Sequence, residues 1–172
     1  QNLGMAEVLI KATSEALIRV PALNSVLVND AIMKFDRVNI AFAVALDDGL
    51  VVPVIRETNS KNIREIAGEV KTLSEAAKNG ILGPDDFMGG TFTISILGSV
   101  DGFTPILNQS QVGLLGVGRS LQKPIVKDGQ VVIREMMTLS LTGDHQVVDG
   151  AVAASFFRRL QRLIESPSKL FA

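Results

Sequence analysis

Gly143-Asp144-His145-Gln146-Val147-Val148-Asp149-Gly150 is the stretch on which both fold and chemistry turn. It stands where a strand-like run, Met136 to Thr142, gives out and a helical run from about Gly150 to Glu165 begins. Thr138, Ser140 and Thr142 occupy alternate positions in the first run, the period of a strand. Val152, Phe156, Leu160 and Leu163 recur at spacings of three and four in the second, the period of a helix. Asp149 suits the helix N-cap, where a carboxylate accepts from backbone N–H groups left free in the first turn, and Gly150 permits a tight entry. Those roles account for Asp149 and Gly150 without any chemistry. His145 has an equally plain reading as a loop residue. Yet imidazole exchanges protons near neutral pH, and a strand-to-helix corner is where side chains are displayed.

Working upstream, Thr91 to Leu97 is a β-branched and aromatic strand between Gly89-Gly90 and the break at Gly98 to Gly102. Val112 to Val117 reads as a short buried strand. Ile125-Val126 and Val131 to Ile133 flank Lys127-Asp128-Gly129-Gln130 as a hairpin. Val38 to Ile55 is a second hairpin about Asp47-Asp48-Gly49, with Pro53 implying an edge position or a strand end. Met5, Val8, Leu9, Ala12, Ala16 and Leu17 predict a helix ended by Pro21. Asn62 with Glu65 reads as a capping box, opening a helix along Ile63, Ile66, Ala67, Val70 and Leu73 that stops at Gly80. Gly83-Pro84-Asp85-Asp86 is a loop or short helical turn. Helix, hairpin, helix, a run of strands and a last helix fit an α/β (α+β) two-layer sandwich with a mixed β-sheet, rather than a doubly wound fold.

Composition narrows the chemistry. The chain has 172 residues, which suits one domain, or one with a small extension. It is 47% hydrophobic and 20% charged with formal net charge −1. Basic and acidic residues are interspersed, and Tyr and Trp are absent, so nothing supports nucleic-acid binding. Cys is absent too, which removes thiol nucleophiles, disulfides and Cys-type metal sites, and His145 is the single histidine. The apolar run through Ala41 to Leu46, which stops at Asp47-Asp48, falls far short of the ~20 residues that span a bilayer, so no membrane role is expected. High hydrophobicity without such a span points to a two-sided sheet or large subunit interfaces. The chain opens on Gln1 with no basic-then-apolar leader, as a processed form would. Gly116-Val117-Gly118 lacks the Gly-Lys-Ser/Thr and following helix of a phosphate loop.

Asp144-His145-Gln146-Val147-Val148-Asp149-Gly150 resembles the His-x-x-x-Asp-Gly signature of the dihydrolipoamide acyltransferases, the core-forming components of 2-oxoacid dehydrogenase complexes. Likeness extends to Asp48 through Arg56, Ile63-Arg64-Glu65-Ile66-Ala67, Gly90 through Ser95, Phe103 through Asn108, Leu115 through Gly118 and Thr138 through Leu141. The signature alone also occurs in chloramphenicol acetyltransferases and peptide-synthesis condensation domains; the combination is specific. The resemblance implies a chloramphenicol-acetyltransferase-like fold. It implies that residues 1–172 form an acyltransferase catalytic domain lacking its N-terminal portion, with lipoyl and peripheral-subunit-binding domains outside this chain.

The resemblance also assigns roles. His145 becomes the general base toward the thiol of coenzyme A or dihydrolipoamide, Ser95 the donor to the tetrahedral oxyanion, and Asp149 the support of the histidine loop. Coenzyme A is then a substrate, the lipoyl group arrives on a separate domain, and no metal is implied. His145 and Ser95 are expected from neighbouring subunits of a homotrimer that builds a 24- or 60-subunit core. The partners implied are the decarboxylase and dihydrolipoamide dehydrogenase components, in the cytoplasm of a bacterium or archaeon or the mitochondrial matrix of a eukaryote. Leu170-Phe171 resembles the family's apolar tail docking between trimers, and a frayed end accounts for it equally. Gln146 and Ile96 depart from the family's Arg and its Asn or Ser. Ser95 through Gly98 with Phe103 through Asn108 looks closest to acetyl-transferring members. A non-catalytic structural core subunit of the same complex is the alternative. A third reading is an antibiotic-type acetyltransferase, against which stand Asp144 before His145 and a chain without Tyr or Trp.

Overall fold

The stripe beginning at Met5 folds as helix α1 (Met5–Arg19), and Pro21 opens a 3-10 turn directly after it. Met5 itself is exposed, whereas Leu9, Ile10, Ala12, Ala16 and Leu17 are buried. This architecture comes from a computed structural model that describes residues 3–171. Helix α2 (Ile63–Lys78) starts at the expected capping box: Asn62 Oδ1 accepts from the Arg64 and Glu65 N–H groups at 2.9 and 3.0 Å, and Glu65 accepts from the Asn62 N–H at 2.7 Å. It ends at Gly80, whose φ of 66° is the left-handed conformation that glycine adopts without strain. Pro84–Phe87 is a single 3-10 turn.

The strands are short. A hairpin of β1 (Ser25–Val28) and β2 (Ala31–Lys34) turns on Asn29 and Asp30, both at positive φ. The expected hairpin Val38–Ile55 is split into four strands: β3 (Ile40–Phe42), β4 (Val44–Leu46), β5 (Gly49–Val51) and β6 (Val54–Ile55). β4 and β5 pair as an outlying ribbon, while β3 and β6 continue the antiparallel pairing inside the main sheet. Pro53 precedes β6, the edge strand, as its missing N–H requires. Further on come β7 (Phe92–Ile96), β8 (Gly113–Val117), β9 (Leu121–Lys127), β10 (Gln130–Met136) and β11 (Leu139–Gly143). β9 and β10 form a ribbon turning on Asp128 and Gly129. Met136 ends β10 rather than opening β11, because it pairs with Leu121.

Five strands make the main sheet in the order β11-β8-β7-β3-β6. β3, β7 and β8 run parallel, and the two outer strands antiparallel, giving the expected mixed sheet. One face carries Ile40, Phe92, Ile94 and Leu115 into a core with Leu9 and Leu17 of α1, Ile66 and Val70 of α2, and Phe156 and Leu160 of α3 (Gly150–Glu165). The Phe92 and Phe156 ring centroids are 5.8 Å apart in a tilted pair. Helices and sheet thus form two layers. Among the described residues no helix is long and apolar enough to cross a membrane.

Candidate functional site

The histidine corner is held by Asp144. Gly143 pairs with Gly113 at the last rung of the β11–β8 ladder, and the Asp144 N–H extends it by bonding to the Val112 carbonyl at 3.0 Å. The Asp144 carbonyl accepts from the Val147 and Val148 N–H groups at 3.0 and 2.8 Å, and its carboxylate accepts from the Gln146 N–H at 2.9 Å. The chain therefore closes a tight turn, with Val148 buried beneath it. His145 is left exposed at the apex. Sequence reading gave the loop-holding role to Asp149 and overlooked Asp144. The signal available was an Asx turn, in which an Asp side chain bonds to a backbone N–H two residues on.

Asp149 occupies the N-cap of α3, its Oδ1 accepting from the Val152 N–H at 2.9 Å. Replacing it with alanine is expected to cost about 1 kcal/mol of stability, and replacing it with asparagine close to nothing, since both acidic and amide side chains cap. Chemical denaturation of the two variants beside the wild type checks this.

Ser95 is on β7, half-buried and in register with Gly116 of β8. Thr93, two residues earlier on the same face, is buried and doubly bonded: it donates to Gln111 Oε1 at 2.6 Å and accepts from Asn108 Nδ2 at 2.8 Å. Gln111 Nε2 in turn donates to the Gly90 carbonyl at 3.1 Å. The connection between β7 and β8 is thereby strapped across the sheet face opposite the helices. Among the described residues no side-chain hydrogen bond occupies Ser95 or His145.

The two residues lie toward opposite ends of the sheet. Gly143 faces Gly113 and Ser95 faces Gly116, so about 3.3 Å per residue along β8 and about 4.8 Å per interstrand step separate Gly143 from Ser95 by roughly 14 Å. The Asp144 bond to Val112 then leads His145 away from Ser95, beyond the Gly113 rung. Within one chain the imidazole and the hydroxyl do not meet. A cleft of about 1080 Å³ opens nearby, lined by Lys34, Asn39, Ala41, Val54, Asn108 and Gln111 among others. Ala41 is in register with both Thr93 and Val54, which puts the cleft on the Ser95 face. Neither Ser95 nor His145 lines it.

Such a pair can act as a proton acceptor and an oxyanion donor when brought together from two chains. Known proteins resemble this chain along its whole length. Residues 1–172 match the family described as 2-oxoacid dehydrogenases acyltransferase (catalytic domain). The dihydrolipoyllysine-residue acetyltransferase component of pyruvate dehydrogenase complex from Rickettsia prowazekii is 41% identical over 168 residues, covering 96% of this chain and 41% of that protein. The chain thus spans about two fifths of the length of such curated relatives. The Azotobacter vinelandii dihydrolipoamide acetyltransferase, whose serine, histidine and asparagine have been investigated for their role in catalysis, superposes with a TM-score of 0.92 at 39% identity, covering 99% of this chain and 72% of that one. Its asparagine lies four residues after its histidine, as Asp149 does after His145. The cubic core of the pyruvate dehydrogenase multienzyme complex matches with the same TM-score of 0.92, identity of 39%, and coverage of 99% and 72%. Chloramphenicol acetyltransferase shares the fold alone, with a TM-score of 0.56 at 14% identity over 92% of this chain and 77% of that one. With the signature, the mixed sheet and the match along its whole length in agreement, this chain belongs to the 2-oxoacid dehydrogenase acyltransferase (catalytic domain) family.

Proposed function

We propose that this chain is the catalytic portion of a dihydrolipoamide acetyltransferase, moving an acetyl group between dihydrolipoamide and coenzyme A in the core of a 2-oxoacid dehydrogenase complex. The observation that carries the reading is the exposed His145 on a turn fixed by Asp144, in a family whose relatives bear acetyltransferase names. The coenzyme A thiol gives its proton to the imidazole of His145, and its sulfur forms a bond to the acetyl carbonyl carbon of acetyl-dihydrolipoamide. Negative charge gathers on the carbonyl oxygen, to which the Ser95 hydroxyl donates. The intermediate collapses by breaking the carbon–sulfur bond to dihydrolipoamide, and the imidazolium returns its proton to that sulfur. Base and donor contribute to the transition state rather than to substrate affinity. Asp149 supports the corner by capping α3.

His145 and Ser95 act on one thioester only if they converge, and the roughly 14 Å between Gly143, at the end of the histidine strand, and Ser95 argues for a site shared between copies. A homotrimer built into a 24- or 60-subunit core is the assembly proposed, and the match to a cubic core supports it. Its partners would be lipoyl domains, the decarboxylase and dihydrolipoamide dehydrogenase; bacterial relatives favour a cytoplasmic setting. Co-expression of full-length His145→Ala chains with full-length Ser95→Ala chains tests the sharing. Mixed particles are expected to regain a measurable fraction of the transfer that each homogeneous particle has lost. Mixed particles of verified composition that stay inactive would overturn a shared site.

A further inference from the structure

We infer that a cavity on the reverse side of β7 from Ser95 binds a medium-chain carboxylate, its tail among Ile10, Phe42, Val44, Val70, Ile94 and Ile96 and its head at Ser74 and Lys78. The cavity holds about 300 Å³, the lower end of the range for small-molecule sites. It opens where the parallel strands β3 and β7 end. Phe42 is in register with Ile94 on their last rung, and the Ala43 N–H donates to the Ile94 carbonyl at 3.1 Å. Beyond that bond β4 leaves the main sheet to pair with β5, so no further rung continues the floor. The crevice past the carboxyl ends of parallel strands is where α/β sheets commonly receive ligands.

The lining divides into an apolar wall and one polar edge. Ile10 and Ile94 are buried, whereas Ile96 is exposed and leaves apolar surface for a ligand tail to cover. Ile96 is also one of the departures from the family pattern, and Asn or Ser there would make the wall polar. Ala6, Ala43 and Ala45 line the space as well and leave room that larger side chains would fill. The polar lining is Ser74 and Lys78, spaced to share one edge of α2. Among the described residues neither side chain enters a hydrogen bond or an ion pair. A free ammonium and hydroxyl beside an apolar cavity suit a single anionic head on a hydrocarbon tail. A neutral ligand would leave Lys78 unused, and a dianion would find no second cation in the lining. Ser95 stands between Ile94 and Ile96 and, by strand alternation, on the opposite face. A ligand in the cavity therefore packs against the back of the serine strand without entering the thioester site.

Full-length assembled protein is titrated with octanoate by isothermal calorimetry, with hexanoate as the shorter probe. One saturable site per chain is expected, binding hexanoate about tenfold more weakly, the scale of two buried methylenes. Lys78→Gln, an exposed change, is expected to weaken octanoate about two- to fivefold, the scale of an exposed charge pair. Ala6→Phe fills the cavity and is expected to abolish binding. Should that variant fail to assemble, Ile96→Asn decides, with an expected loss of about tenfold. Octanoate that gives no saturable heat overturns the site, the result that a segment of the full-length protein lodged in the cavity would produce. Saturable binding that neither Lys78→Gln nor Ile96→Asn weakens overturns it too. Heat is read without turnover, so the outcome is independent of acetyl transfer.

Discussion

Replacing His145 with alanine is expected to lower kcat for acyl transfer by about 10²- to 10⁴-fold, the usual contribution of a positioned base. The thiol must lose its proton before its sulfur attacks, and the chain holds no second imidazole to take over. Stability is expected to stay within about 0.5 kcal/mol of the wild type, because the side chain is exposed and the turn is tied by Asp144 instead. Thermal unfolding beside steady-state kinetics separates the two effects. A turnover unchanged by the substitution would remove His145 from the mechanism.

Ser95→Ala is expected to lower kcat by about 10²- to 10³-fold, or ~2.7–4 kcal/mol, with KM nearly constant. That split follows from where the hydroxyl works: it meets an oxygen that becomes fully charged only in the transition state. The strand does not depend on the hydroxyl, since β7 is held by its ladders to β3 and β8 and by the Phe92 and Ile94 side chains in the core. A rise in KM at unchanged kcat would instead make Ser95 a substrate-binding group.

Much of this could be read from local chemistry. The Asn62–Glu65 box, the Asp128-Gly129 turn and the Asp149 cap each place a hydrogen-bonding group a fixed few residues from its partner, so periodicity and turn rules reach them. The β1–β2 hairpin escaped notice. All of β2 is exposed and apolar residues run together in it, so no alternation distinguishes a buried face. The extra residues of β9 and β10 escaped for the same reason, being mostly exposed. His145 and Ser95 could be singled out from their motifs, but not their separation, which depends on the β7–β8–β11 register. Nor could the strap: its anchors join Thr93 to Gln111 and Pro105 to Thr142, partners that no local pattern connects.

The position of β7 at the middle of the sheet carries a consequence for biosynthesis. Its pairing with β3 joins Ala41 to Thr93, and its pairing with β8 joins Ser95 to Gly116, so the serine strand completes its ladders only after Val117 has emerged from the ribosome. At about 5–20 residues per second, a nascent chain spends on the order of a second with β7 made and its outer edge bare. An unpaired strand edge recruits other strands. Chains interrupted between Ile96 and Gly113 therefore leave that edge of β7 without its native partner, and slow synthesis across the strap lengthens that exposure.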